Sequence, residues 1–165
     1  MFQSKSAIAQ LLALTSVASS LMTSPAVAGE SGVTTGVASF HARGEMRDFK
    51  SGVAVWTGTF VGTSLSDMKR GPLHAVGWEC TGESVLSEGN VLRSGGFCLL
   101  TDPQGDTVNV MWERTNVPGP FDDAKTRGTY VSGTGKFHGI QGHYTFACVK
   151  GGVVCAITGG DYRIP

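Results

Sequence analysis

The chain has 165 residues, and its 13 basic and 13 acidic side chains leave no formal net charge at pH 7. The charges are dispersed and no basic run occurs, which argues against a nucleic-acid partner and against a polybasic membrane-surface site. The length corresponds to one domain with enough chain to bury its own core.

The first 28 residues have the pattern of a cleavable export signal. Lys5 precedes an apolar run from Ala7 to Met22, and Pro25–Ala28 ends in an A-x-A sequence of the kind that signal peptidases cut. A buried helix or a membrane anchor is the alternative, but serines and threonines dilute the run and it is short for a span. We therefore expect cleavage after Ala28, leaving one exported domain, residues 29–165, in the periplasm or the medium.

Beyond residue 28, segments rich in threonine, valine and aromatic residues alternate with glycines, a composition that favours strands and turns over helices. Period-two alternation and turn residues predict eight strands, in chain order Val33–His41, Val53–Val61, Leu73–Thr81, Gly96–Thr101, Thr107–Glu113, Gly128–Ser132, Gly139–Cys148 and Val153–Tyr162. Asp102–Asp106 is predicted to form a hairpin turn, and Asn116–Arg127 the longest surface loop. Strands at such regular spacing predict an antiparallel barrel or sandwich.

Four cysteines, an even number, predict two disulfides in an exported protein, and three connectivities are possible. Gly151-Gly152 is a hairpin turn signal that places Cys148 opposite Cys155, across either a two-residue turn or a four-residue loop. Both geometries bring the two Cα atoms within disulfide reach. By elimination, Cys80 is expected to pair with Cys98.

Established metal and catalytic motifs are missing from the sequence. No C-x-x-C pair occurs, and His138 and His143 lack the usual spacing of zinc ligands. No G-x-S-x-G sequence surrounds a serine. We therefore predict neither a metal ion nor an organic cofactor.

The segment Tyr130–Gly142, YVSGTGKFHGIQG, combines closely spaced glycines with apolar anchors. Gly133 and Gly135 permit a positive φ at a tight corner, and Phe137 and Ile140 provide the anchors on either side. A phosphate-binding loop would need a strand before the segment and a helix after it, a context that this sequence lacks. The segment is therefore interpreted as an element of the fold.

The G-T-G-K-F-x-G-I-x-G core of this segment resembles the allene oxide cyclase and dirigent-like barrel proteins, together with bacterial exported proteins of unassigned function. The resemblance covers the region from Trp56 to Thr145. It implies an all-β fold, a closed eight-stranded antiparallel barrel with a cavity along its axis, and association into a homo-oligomer. The matching segment is structural, so no catalytic residue is carried over from that family, and the resemblance implies architecture and no activity.

Two carboxylates are candidate acid/base catalysts. Glu79 follows Trp78 and Glu113 follows Trp112, so alternation along a strand places each carboxylate and its tryptophan on opposite faces. A carboxylate inside an apolar barrel would have a raised pKa and serve as a general acid or base. A solvent-facing position on the outer face is the alternative.

A set of aromatic residues is predicted to line a ligand cavity: Trp56, Phe60, Trp78, Trp112 and Tyr144. The alternative is that they fill the core, since eight-stranded barrels show both outcomes. Three functions follow as hypotheses. The first is binding of a small apolar or aromatic molecule in the barrel, and the second is a cofactor-free isomerase, cyclase or lyase that uses Glu79 or Glu113. The third is a structural or interaction protein with a filled barrel.

Overall fold

The computed structural model describes residues 29–49, 51–120, 123–149 and 154–165. The predicted signal segment and the Gly151-Gly152 turn lie outside these residues. The described part is all-β, with one short 3-10 turn at Gly135–Phe137 and no α-helix. Its strands are β1 (Glu30–Val33), β2 (Gly36–Asp48), β3 (Val53–Ser66), β4 (Val76–Ser87), β5 (Asn90–Thr101), β6 (Thr107–Arg114), β7 (Gly119–Pro120), β8 (Lys125–Gly133), β9 (Gln141–Cys148) and β10 (Val154–Ile164).

Eight of these strands form a closed ring in which every pair of neighbours is antiparallel. The order is β10-β2-β3-β4-β5-β6-β8-β9, and β9 pairs with β10 to complete the ring. The two remaining strands are accessory, because β1 pairs with β10 and β7 pairs with β5. The all-β prediction is confirmed, and each of the eight predicted strands contributes to the ring.

Several predicted boundaries were wrong: β2, β3 and β4 run five to seven residues further than predicted, β5 begins six residues earlier, and β8 and β4 begin at other residues than expected. Strand β8 begins at Lys125, inside the predicted loop. The alternation at its start places Thr126 inward between two exposed charged residues, and this polar segment does not have the apolar alternation by which strands are predicted. Strand β4 begins at Val76, and Leu73 lies in the preceding turn, where its side chain is completely buried. Positive φ angles at Gly71 (87°) and Ala75 (54°) shape that turn.

The turn with Leu73 lies at one end of the ring, which we call the closed end; the other end, where β4 stops at Ser87 and β5 begins, is the open end. Phe137 and Ile140, in the segment after β8, are each 3% exposed and join Leu73 in the core. Gly135 has φ 50°, as predicted for the corner. Gly133 does not have a positive φ; its missing side chain instead makes room for Phe137, whose Cβ would lie 2.7 Å from a Cβ at that position.

An ionic clamp holds this segment against the β5–β6 turn. Asp102 Oδ1 accepts hydrogen bonds from the N–H groups of Gln104 and Asp106, both at 2.9 Å. Asp102 Oδ2 forms an ion pair with the ammonium group of Lys136. The N–H of Lys136 donates to Asp106 Oδ2 at 3.2 Å. The predicted turn thus fastens the closed end of the ring.

Candidate functional site

The ring encloses a cavity of about 350 Å³ that extends from the buried aromatic core toward the open end. The five aromatic residues that the sequence singled out all lie on its wall: Trp56, Phe60, Trp78, Trp112 and Tyr144. Sequence reasoning missed Phe40 and Phe146, which join them there. Each faces inward by strand alternation, although neighbouring threonines and alanines obscure that pattern in the sequence.

The rings contact one another in two groups. Phe40, Trp78, Tyr144 and Phe146 form a closed circle, with successive centroid distances of 5.3, 5.8, 5.9 and 6.2 Å. Trp56, Phe60 and Trp112 form a chain with centroid distances of 5.2 and 5.7 Å. These separations are those of attractive aromatic pairs, so the wall is held in place by its own contacts.

Trp78 is fixed at the floor of the cavity. Its indole N–H donates to Ser64 Oγ at 2.8 Å, and Ser64 Oγ donates to the Leu73 carbonyl at 2.7 Å. Tyr144 is fully buried beside Trp78, and burial together with the nearby Tyr130 raises the pKa of its phenol well above the ordinary value. The floor is therefore rigid, and Tyr144 remains neutral.

A continuous row of directly paired residues crosses all eight strands of the ring. In order from β2 to β10 it runs Gly44, Gly58, Gly82, Gly96, Trp112, Gly128, Tyr144, Gly160. We call it the glycine row. Because six of its members have no side chain, the two aromatic members and Trp56 lie flat against the wall.

The close fit is measurable at individual glycines. A Cβ would lie 2.1 Å from the Tyr144 ring at Gly128, and 2.5 Å from the Trp56 ring at both Gly44 and Gly58. Real Cβ atoms do not approach other atoms so closely. The glycine row therefore leaves the centre of the ring empty by allowing large rings to lie at its edge. The sequence does carry a signal for part of the row, since five members recur every 16 residues, at positions 96, 112, 128, 144 and 160.

Polar groups occur near the open end of the cavity. Ser84 Oγ and Ser94 Oγ share a hydrogen bond of 2.8 Å, and both residues line the wall. Arg114 is 7% exposed, and its guanidinium donates to Asn116 Oδ1 at 3.0 Å and to the carbonyls of Pro120 and Asp123. Burial lowers the pKa of Arg114, against the opposing charge of Asp123. Arg114 thus holds the β6–β8 connection at the cavity mouth.

Glu79 and Glu113 lie elsewhere. Both are exposed on the outer face of the ring, because Trp78 and Trp112 occupy the inward positions beside them. Among the described residues that line the cavity, none is an aspartate or a glutamate. The acid/base hypothesis named Glu79 and Glu113, and neither carboxylate reaches the cavity; the histidine on its wall is His41.

Both predicted disulfides are confirmed: Cys80–Cys98 joins β4 to β5, and Cys148–Cys155 joins β9 to β10. The N–H of Val149 donates to the Val154 carbonyl at 2.9 Å, so the Cys148–Cys155 pair next to it is the close, non-hydrogen-bonded type. Of the two geometries that the sequence allows, a four-residue loop gives a close pair of this type and a two-residue turn gives the wider, hydrogen-bonded pair. Two disulfides indicate folding in an oxidising compartment.

Within the described ranges, no helix has the length and apolar character needed to cross a membrane. In comparisons with known proteins, the chain matches no protein-family model and no curated protein sequence.

Proposed function

We propose that this chain is an exported β-barrel protein that binds a small apolar or aromatic molecule inside its ring. The observation that carries the proposal is the cavity of about 350 Å³ with aromatic walls. Ligand pockets begin at about 300 Å³ and are lined mainly by apolar and aromatic side chains with a few polar groups. The proposal includes two further points: the ring is a barrel of the allene-oxide-cyclase-like type, and residues 1–28 are the signal that directs its export.

The chemistry of the wall defines the ligand. Aromatic and cystine residues form most of it. The guanidinium of Arg114 at the mouth already donates to Asn116 and to the carbonyls of Pro120 and Asp123, so a charged ligand would lose its hydration with little compensation. A flat aromatic ligand would gain about 0.5–1.5 kcal/mol for each ring pair it forms, in addition to the burial of apolar area. At the Ser84–Ser94 pair, one hydroxyl donates to the other. The accepting hydroxyl keeps its own proton, which suits a carbonyl or ether oxygen at one end of the ligand.

The two other hypotheses receive less support. An isomerase or cyclase would need a group placed to move a proton in the cavity, and Glu79 and Glu113 face solvent. A filled barrel would leave no room inside, whereas the ring holds about 350 Å³. Binding is therefore the function that the geometry supports best.

Native mass spectrometry of the protein from its own producing cells tests the proposal first. We expect a retained neutral organic molecule. Binding in solution is then measured with N-phenyl-1-naphthylamine, an apolar aromatic amine. All three tryptophans of the chain line the cavity, so energy transfer from tryptophan to this probe reports directly on occupancy.

A matched pair of variants separates cavity binding from surface adsorption. Ser94→Phe places a ring inside the cavity and should weaken probe binding at least about tenfold. Ser39→Phe adds the same ring on the exposed outer face of β2 and should leave probe binding unchanged. Equal binding by both variants, or no probe binding and no retained molecule in the native protein, would overturn the proposal.

A further inference from the structure

Within the described ranges, strand β2 has one long edge that pairs with no other strand. It pairs with β3 along its whole length, from Gly36 to Asp48, but with β10 over Gly36–Ser39 alone. Among the described residues, no strand pairs with the other side of Phe40–Asp48, which we call the free edge. Residues 41–48 are all exposed. An edge of this length is a template for a further strand.

Two hydrogen bonds show which backbone groups the free edge presents. The N–H of Phe49 donates to the Val53 carbonyl at 2.8 Å, and the N–H of Asp67 donates to the Thr35 carbonyl at 2.9 Å. In an antiparallel ladder every second residue bonds to a given neighbour. The odd-numbered residues therefore bond to β3. The even-numbered residues from 40 to 48 direct their N–H and C=O groups away from the sheet.

Besides Arg47 and Asp48 at its end, the free edge carries Arg43 and Glu45, whose opposite charges flank Gly44. Within the chain these two residues lie opposite Thr59 and Thr57 of β3, which carry no charge. A two-fold axis at Gly44 would pair Arg43 with Glu45 of the second copy, twice. An axis at Arg43 or at Glu45 would instead place two like charges opposite each other. An axis at Met46 would pair Glu45 with Arg47, but it would overlap only residues 44–48 of the free edge, whereas the axis at Gly44 overlaps all of it.

We infer that two copies of this chain associate through their free edges, antiparallel and centred on Gly44. Such a contact is isologous, so it closes after two copies and leaves no strand edge to extend an aggregate. Pairs at Gly44–Gly44, Ala42–Met46 and Phe40–Asp48 use the unpaired backbone groups of both copies. The sign of the charge pairs excludes an axis at Arg43 or at Glu45, and the overlap of the whole free edge favours Gly44 over Met46.

Sedimentation velocity over a range of concentrations tests the inference with the protein expressed from the full sequence. The native protein should form a dimer in a concentration-dependent manner. Arg43→Glu and Glu45→Arg should each weaken the dimer by about tenfold or more, because attraction becomes repulsion at two symmetric contacts. An equimolar mixture of the two variants should dimerise, since two acidic side chains at positions 43 and 45 of one copy would meet two basic side chains at the same positions of the other. The double variant should dimerise like the native protein.

Arg163→Glu is the matched control, because it makes the same charge change at an exposed position of β10, away from the free edge. It should leave the dimer intact. Hydrogen exchange provides a second measurement: the amides of Ala42, Gly44 and Met46 should be protected in the dimer alone, and those of Arg43 and Glu45 at every concentration. A native protein that is monomeric throughout, or a dimer that is unaffected by Arg43→Glu, would overturn the inference.

Discussion

The indole of Trp112 lies flat over Gly82, so close that a Cβ at Gly82 would come within 2.3 Å of the ring. The two residues are two strands apart, with Gly96 between them in the glycine row. Any side chain at position 82 must move Trp112 into the cavity. Gly82→Ala is therefore expected to lower the free energy of unfolding by about 1–3 kcal/mol and to change the tryptophan emission.

Gly77→Ala provides the control on the same strand. Its Cβ would face solvent, with the nearest heavy atom 3.9 Å away at the Thr101 carbonyl. This variant should be neutral or slightly stabilising. Urea unfolding followed by fluorescence distinguishes the two, and equal stabilities would show that the glycine row does not control the packing of Trp112.

The clamp at the closed end predicts acid sensitivity. Burial raises the pKa of Asp102, but the hydrogen bond from Lys136 and those from the N–H groups of Asp106 and Gln104 lower it by more. The net pKa lies below the ordinary value, so the unfolded chain takes up the proton first as the pH falls. Asp102 therefore stabilises the fold above about pH 4 and loses this contribution as the pH falls through its folded pKa.

Lys136→Met removes the cation and leaves the carboxylate buried. The pKa of Asp102 should rise, and the midpoint of acid unfolding should move to higher pH. Lys125→Met, at an exposed position on β8, is the control and should not move that midpoint. A midpoint that stays fixed in Lys136→Met would show that the clamp contributes nothing to acid stability.

Tyr162 predicts a second pH dependence, at the alkaline end. Burial, the hydrogen bond of 2.7 Å that its hydroxyl donates to Glu30, and the charge of that carboxylate raise the pKa of Tyr162 to about 12. The folded protein holds this proton more tightly than the unfolded chain. The contribution to stability is complete below about pH 10 and is lost as the pH rises through the folded pKa.

Glu30→Gln should lower the pKa of Tyr162 but leave it above the ordinary value, because burial persists. The tyrosinate absorbance, assigned with Tyr162→Phe, measures the change. Glu113→Gln alters an exposed carboxylate elsewhere and should have no effect on this titration. An unchanged titration in Glu30→Gln would mean that β1 does not hold Tyr162 in solution.

The two disulfides should differ in their contributions to stability. Cys80 and Cys98 are 18 residues apart in the chain, and Cys148 and Cys155 are 7 apart. A longer closed loop restricts the unfolded chain more, so Cys80→Ala/Cys98→Ala should cost about 1 kcal/mol more than Cys148→Ala/Cys155→Ala. Urea unfolding of the two double variants measures this difference, and the opposite order would point to strain in the folded ring.

The strands were predictable because alternation is a local property. Trp78 and Cys80 share one face of the strand and Glu79 lies on the other wherever the strand lies in the sheet. The Cys148–Cys155 pair follows from a hairpin, and Cys80–Cys98 follows by elimination. The glycine row was not predictable as a unit, because it depends on the register between strands far apart in sequence. The position of Glu113 outside the cavity required knowing which face of β6 the ring encloses. The free edge was missed for a similar reason, since nothing in β2 itself shows where β10 stops.

The pairing between β10 and β2 is a weak point in the wall of the ring. Among the described residues, Val154–Ile157 and Gly36–Ser39 are joined by four residue pairs, whereas β2 and β3 share thirteen. Beyond this junction, in the C-terminal part of β10, the partner on that side is β1, which pairs Glu30–Val33 with Asp161–Ile164. In the part of the chain that the structure describes, the β10–β2 pairing is the shortest contact between neighbouring strands of the ring, so it is the point of the wall with the least backbone pairing to lose when a bulky guest enters.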